Sequence, residues 1–202
     1  MHKTMRFTAL AALALLSTSA LAITTTSPQD NKPQVHSKWC WNAAVRNLIY
    51  TESKGATNLW QCEIGNFVFQ VDYACKYNNV FDWKDRANAG NWLKSSQAGP
   101  KDMSAVLHRY GLRRLRHYQG ALSFAHMQQS IDNNHGVLTH WRWRSGNGGH
   151  YVVAYGYDVR ADGSQWVKLA DPWPNEGDYW LTYEEYVSNS EHWTMGTLRV
   201  IE

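Results

Sequence analysis

Two textures divide this chain. From Val137 onward, four runs of β-branched and aromatic residues, Val137 to Trp143, His150 to Tyr157, Gln165 to Ala170 and Gly196 to Ile201, are separated by Gly, Asp and Ser clusters. That is the pattern of strands joined by turns. Ahead of them, apolar residues recur at helical spacing: Trp41, Ala44, Val45, Leu48 and Ile49 stand at i, i+3, i+4, i+7 and i+8. This predicts a helix from Cys40 to about Thr51, with Ser37 as its cap. Residues 61–75 predict a second helix. Asp102 caps a third that runs through Tyr110 and stops at Gly111, and residues 122–134 predict a fourth ended by His135-Gly136. Residues 76–100, rich in Asn, Gly, Lys and Ser, read as loop. Helices first and strands second exclude alternating βαβ units and predict an α+β fold with segregated elements.

The first 22 residues stand outside that fold. Lys3 and Arg6 precede an apolar run from Ala9 to Leu16 and a small-residue stretch ending Ala20-Leu21-Ala22, which reads as a secretory signal peptide. The run falls well short of the ~20 residues that cross a bilayer. Cleavage leaves 180 of the 202 residues, a length that buries roughly 70% of its unfolded-chain surface. Residues 23–33 are mostly Thr, Ser, Pro, Asp, Asn and Lys, a composition expected of a flexible leader. The folded domain then spans 34–202, helical to about 135 and β from 136. Export implies a secreted, extracellular protein, with the periplasm as the alternative compartment. Two of the charges behind the net +3 are Lys3 and Arg6, so the remainder carries only +1. That supplies little of the phosphate attraction behind nucleic-acid affinity. Neither nucleic acid nor, once the signal is removed, a membrane is an expected partner.

In an oxidising compartment three cysteines cannot all pair. Cys62 and Cys75 lie 13 residues apart in one segment while Cys40 stands alone, so the favoured disulfide is Cys62 with Cys75. Closing a loop of that length stabilises a fold by ~3 kcal/mol in the chain-entropy picture. Cys40 is then the odd thiol.

Its position gives it chemistry. A thiol in the first turn of a helix meets the positive end of the macrodipole and unpaired amides, which favour the thiolate. A nucleophilic thiolate needs a proton partner, and among nine histidines the best placed is His150, behind the glycines of Gly146-Asn147-Gly148-Gly149 and at the head of an apolar strand. Those glycines are expected to let a substrate approach. Asp171 follows the next strand, so antiparallel pairing brings it to the edge where His150 starts. There it can accept the imidazole N–H and fix the tautomer. Trp173 is expected to keep water from that bond. Gln34, six residues before Cys40, can donate its amide, with the Cys40 backbone N–H, to a developing oxyanion. His140 reads as a sheet histidine, His36 as a residue lining the cleft without an orienting carboxylate, and Asp158 and Asp162 as turn residues beside Gly163.

At these residues the chain resembles the papain-like cysteine peptidases, above all the short bacterial branch with secreted effector proteases and bacteriocin-leader peptidases. The matching pieces are Gln34, Cys40-Trp41, Ala43-Ala44, Gly149-His150-Tyr151-Val152-Val153, Gly156-Tyr157 and Asp171-Pro172-Trp173. Plant-type members carry Cys-Gly-Ser/Ala-Cys-Trp and an Asn as third member. This chain has His36-Ser37-Lys38-Trp39 before Cys40 and an Asp, which points to the bacterial branch. The resemblance implies Cys40 as nucleophile, His150 as base and acid, Asp171 as its orienter and Gln34 as oxyanion donor. It also implies a cleft between a helical and a β lobe, with Trp41 and Trp173 as cleft aromatics, and no metal or cofactor. A protein or peptide is the expected substrate and a separate inhibitor or immunity protein a further partner. Two alternatives stand beside this reading. One is a cell-wall peptide amidase or acyltransferase using the same residues. The other is a non-enzymatic carbohydrate-binding module presenting Trp60, Trp83, Trp92 and Trp193.

Overall fold

The computed structural model describes residues 23–26, 29–75, 103–146 and 148–201. The signal-peptide segment, the Asp102 cap, Trp83, Trp92 and the 76–100 stretch lie outside the described residues. Helices α1 (Cys40–Glu52), α2 (Gln61–Phe69), α3 (Met103–Arg109), α4 (Phe124–Asp132) and α5 (Tyr183–Val187) accompany strands β1 (Thr24–Thr25), β2 (Leu115–Gln119), β3 (Val137–Trp143), β4 (Gly149–Val159), β5 (Gln165–Asp171), β6 (Gly177–Thr182) and β7 (His192–Val200). The strands form a single antiparallel sheet in the order β2-β7-β3-β4-β5-β6, with β1 added to β4. The fold is α+β, as the two textures predict. The division at residue 135 is less clean than composition suggests, because β2 enters the sheet between α3 and α4 and α5 lies between β6 and β7.

Both faces of the sheet are covered. Alternation along β4 sends Tyr151, Val153 and Tyr155 into one core with Leu48, Ile49, Val68 and Val106 of the first three helices. Val152 and Ala154 point the other way, into a second core with Phe124, Met127, Ile131 and Tyr186. Gly136 lets α1 settle on the sheet, for a Cβ there would stand 3.0 Å from Leu48 and 3.1 Å from Val153. The Cys62–Cys75 disulfide is formed, with Cα atoms 5.5 Å apart, and Cys40 is a buried free thiol.

Two expectations are corrected. Ser37 does not cap α1: Lys38 takes a left-handed φ of 67° and Trp39 occupies the N-cap position with no side-chain cap bond. Residues 23–33 are also packed where they are described. Thr24 and Thr25 pair with Tyr157 and Gly156, and Thr26 donates its N–H to Tyr155. Further along, Asp30 bonds the guanidinium of Arg46 at 2.6 Å, and Asn31 and Lys32 bond the side chain of Asn47. Arg46 and Asn47 lie on α1 and are almost fully buried. The polar leader is thus the partner that the polar face of α1 requires, since a buried charge or amide without partners is costly.

Candidate active site

Antiparallel pairing of β4 with β5 sets Val153 opposite Ala170. His150 and Asp171 therefore come to the same end of adjacent strands and, by alternation, to the same face. Their side chains meet: His150 Nε2 and Asp171 Oδ1 are 2.6 Å apart, with the two residues 2% and 5% exposed. Asp171 is held from two more directions, accepting the Trp173 N–H at 2.7 Å and the Tyr179 hydroxyl at 3.0 Å. With Nε2 engaged, Nδ1 is left without a hydrogen-bond partner. It is the ring nitrogen available to the sulfur of Cys40, which opens α1 and lies close enough to act on the ring.

The electrostatics follow. Burial works against a charged ring, yet the hydrogen bond to Asp171 and the neighbouring Cys40 outweigh it and push the His150 pKa up to about 10. His140 and His192 go the other way. Burial first, then the positive charge of nearby Arg142 or His150, lowers both to about 4, so they remain neutral at ordinary pH. Burial and the Asp171 carboxylate push the Tyr179 phenol upward, which keeps it a donor. A thiol beside an imidazole whose far nitrogen is fixed by a carboxylate can pass its proton to that ring and attack an electrophilic carbon.

Gln34 reaches the same place by its backbone, donating its N–H to the Pro172 carbonyl at 2.7 Å. Its side-chain Nε2 donates to the His36 carbonyl at 3.0 Å, which leaves one of its two amide protons for another acceptor. Composition and spacing did not reveal what holds this segment. Gln61, 5% exposed, accepts from Val35 and donates to the Pro33 carbonyl, and Asn31 donates to the Asp171 carbonyl. Gln61 bore no signal beyond standing next to Cys62.

The aromatic residues are rearranged relative to expectation. Trp173 is half exposed and sets its edge 5.5 Å from His150. Trp41 does not line a cleft; it is 1% exposed and packs on Trp39 and Phe69. As the second residue of α1 it is carried inward by the same helical turn that puts Cys40 at the surface of the core. Trp143, which sequence reasoning left unassigned, stacks on His150 at 5.9 Å and 14°. His140 stacks on Tyr151 inside the sheet, and His36 packs edge-on to Trp39 with Nε2 3.6 Å from Cys75 Sγ. Gly149 lets β4 approach its neighbouring strand: a Cβ there would lie 2.2 Å from the Trp141 carbonyl and 2.6 Å from the His140 ring. Asp158 is not a turn residue but lies in β4 opposite Trp166 of β5, whereas Asp162 caps its turn by accepting the Ser164 N–H. Beside His150 and Asp171 opens a cleft of about 350 Å³ walled by Trp141, Trp143, Trp173, Tyr179 and His192.

A family model described as Peptidase_C39 like family matches residues 25–196. No curated protein sequence matches the chain.

Proposed function

This chain belongs to the Peptidase_C39-like family, a family of cysteine peptidases, and from that premise we propose that it hydrolyses peptide bonds with Cys40 as nucleophile, His150 as acid and base, and Asp171 as the group that orients His150. The observation that carries the reading is His150, buried between a carboxylate on Nε2 and a thiol on its Nδ1 side. The Cys40 proton passes to His150 Nδ1, and the thiolate adds to the carbonyl carbon of the substrate. The oxyanion is received by the Cys40 backbone N–H and the remaining Gln34 amide proton. His150 then gives its proton to the departing nitrogen as the C–N bond breaks, leaving a thioester. Water, deprotonated by His150, attacks that thioester and returns the thiol. Trp173 and Trp143 flank the imidazole and limit water around its bond to Asp171. The working form begins after Ala22 and acts outside the cytoplasm on a protein or peptide, with a separate inhibitor or immunity protein as its restraint.

An epoxide inhibitor of papain-like enzymes should label Cys40 in a mass map. Cys40→Ala should lose both labelling and casein cleavage, by at least ~1000-fold for the latter, while its circular dichroism is unchanged. Undiminished cleavage by the variant would refute the nucleophile. Release of muropeptides from cell-wall sacculi without casein cleavage would replace a protein peptidase by a wall amidase.

A further inference from the structure

Resting on that reading, we infer that the cleft beside His150 seats the residue that follows the scissile bond and selects a cationic side chain there, lysine or arginine. The departing nitrogen takes its proton from His150, so the leaving half of the substrate must pass within hydrogen-bond reach of that ring. The cleft opens on His150 and Asp171, and Cys40 is not among its walls. It therefore lies on the leaving side of the bond and not on the acyl side.

The walls suit a cation in three ways. Trp141, Trp143 and Trp173 surround the space with indole faces and edges, the surroundings that attract ammonium and guanidinium groups. Glu176 and Glu191 stand on the rim. The Asp171 carboxylate offsets the charge on His150, which leaves these two glutamates with no ion-pair partner among the described residues. No lysine or arginine lines the cleft among the described residues. Arg142 and Arg144, beside the wall residues Trp141 and Trp143 in sequence, are turned elsewhere: Arg142 to the Gly146 carbonyl at 3.3 Å, Arg144 to the Asn189 carbonyl and the Ser188 hydroxyl, both at 2.7 Å.

The third feature is His192. It is 3% exposed, lies against Trp141 at 3.9 Å, and its Nε2 has no hydrogen-bond partner. The ring meets the backbone of Glu185 and Tyr186, and a neutral imidazole that spends its proton on a backbone carbonyl keeps a lone pair on the other nitrogen, Nε2. A buried acceptor on the wall of an anionic, indole-lined cleft fits an N–H donor that carries positive charge. A neutral apolar side chain would leave that acceptor unsatisfied.

Two measurements test this on the full-length protein. In the first, a proteome-derived peptide mixture is digested and the new N-termini are sequenced by mass spectrometry. Lysine and arginine should be enriched roughly tenfold at the new N-terminal residue. The enrichment should vanish in the Glu176→Gln/Glu191→Gln variant, with neutral residues taking the place of lysine and arginine at the new N-termini. In the second, tryptophan fluorescence of the Cys40→Ala variant is titrated with lysinamide and with norleucinamide, which differ at the side-chain ammonium. Lysinamide should bind roughly tenfold more tightly, and the two glutamate substitutions should remove the difference. Cleavage without cationic enrichment, or equal binding of the two amides, overturns the cleft assignment and leaves the peptidase reading standing. Absence of any cleavage, with lysinamide still preferred, overturns the peptidase reading and with it the assignment to the leaving side.

Discussion

His150 keeps its proton because of what stands on either side of it, and the pH behaviour of the reaction belongs to that pair of neighbours. In the proposed reaction the charged ring protonates the leaving group, so activity should fall on the alkaline side as the ring loses its proton. With the pKa pushed up to about 10, that limb lies well above the ordinary histidine range near 6.5. Asp171→Ala removes the main group that raises the pKa. The alkaline limb of kcat/KM should move toward neutral pH, and the rate at its optimum should fall roughly 100-fold or more. An unmoved limb would show that Asp171 only braces the fold. At this scale, the meeting of His150 with Asp171 and Cys40 was legible because each sits where a helix or strand begins or ends. Tyr179 and Trp143 were not, since a tyrosine or tryptophan in a strand reads as packing and only the three-dimensional register brings it to Asp171 or His150. Gln34 was found from its distance in sequence, but its engagement with the His36 carbonyl was not.

Among elements, the β3–β4 pair is the one that sets the site, and its tolerance is small. The Gly149 Cα faces the Trp141 carbonyl so closely that any side chain must push the two strands apart. Gly149→Ala should lower stability by about 2 kcal/mol. Because His150 follows directly, it should also cost activity in protein that is still folded. Urea unfolding and kcat measured on the same preparation separate the two effects, and a variant as stable as the parent would mean that the strands part freely. Helices α1 to α4 and the four long strands were visible in the sequence pattern, whereas α5, five residues held by the Thr182–Glu185 capping box, is too short to show a period. Strands β2 and β6 were not, for Leu115–Gln119 is mostly charged or polar and Gly177–Thr182 is half exposed. Both lie at the sheet edges, where burial imposes no clean alternation. The leader escaped for a different reason. Its polar residues signal solvent when read alone, and their partner, the polar face of α1, reads as solvated in turn. The leader buries that face while staying partly exposed itself.

For the molecule as a whole, the single disulfide ties the end of the described α2 region back onto that helix. Replacing both Cys62 and Cys75 by serine in a Cys40→Ala background should lower the unfolding free energy by about 3 kcal/mol. Guanidinium denaturation checks this, and an unchanged midpoint would mean that the loop is already held by Trp39 and Ala74 packing around Gly65. The pairing of Thr24 and Thr25 with Tyr157 and Gly156 reaches further than stability. It joins positions roughly 130 residues apart, and contacts of such separation are the slow ones to form. Gln34 and the approach to Cys40 hang from a strand that the ribosome makes late. A chain still being made therefore carries the Cys40 thiol before it carries His150 and Asp171, and the proposed hydrolysis must wait until β4 and β5 have been made and have closed over the first residues. On the proposed reading, the order in which the chain is built keeps it inert for as long as it is incomplete.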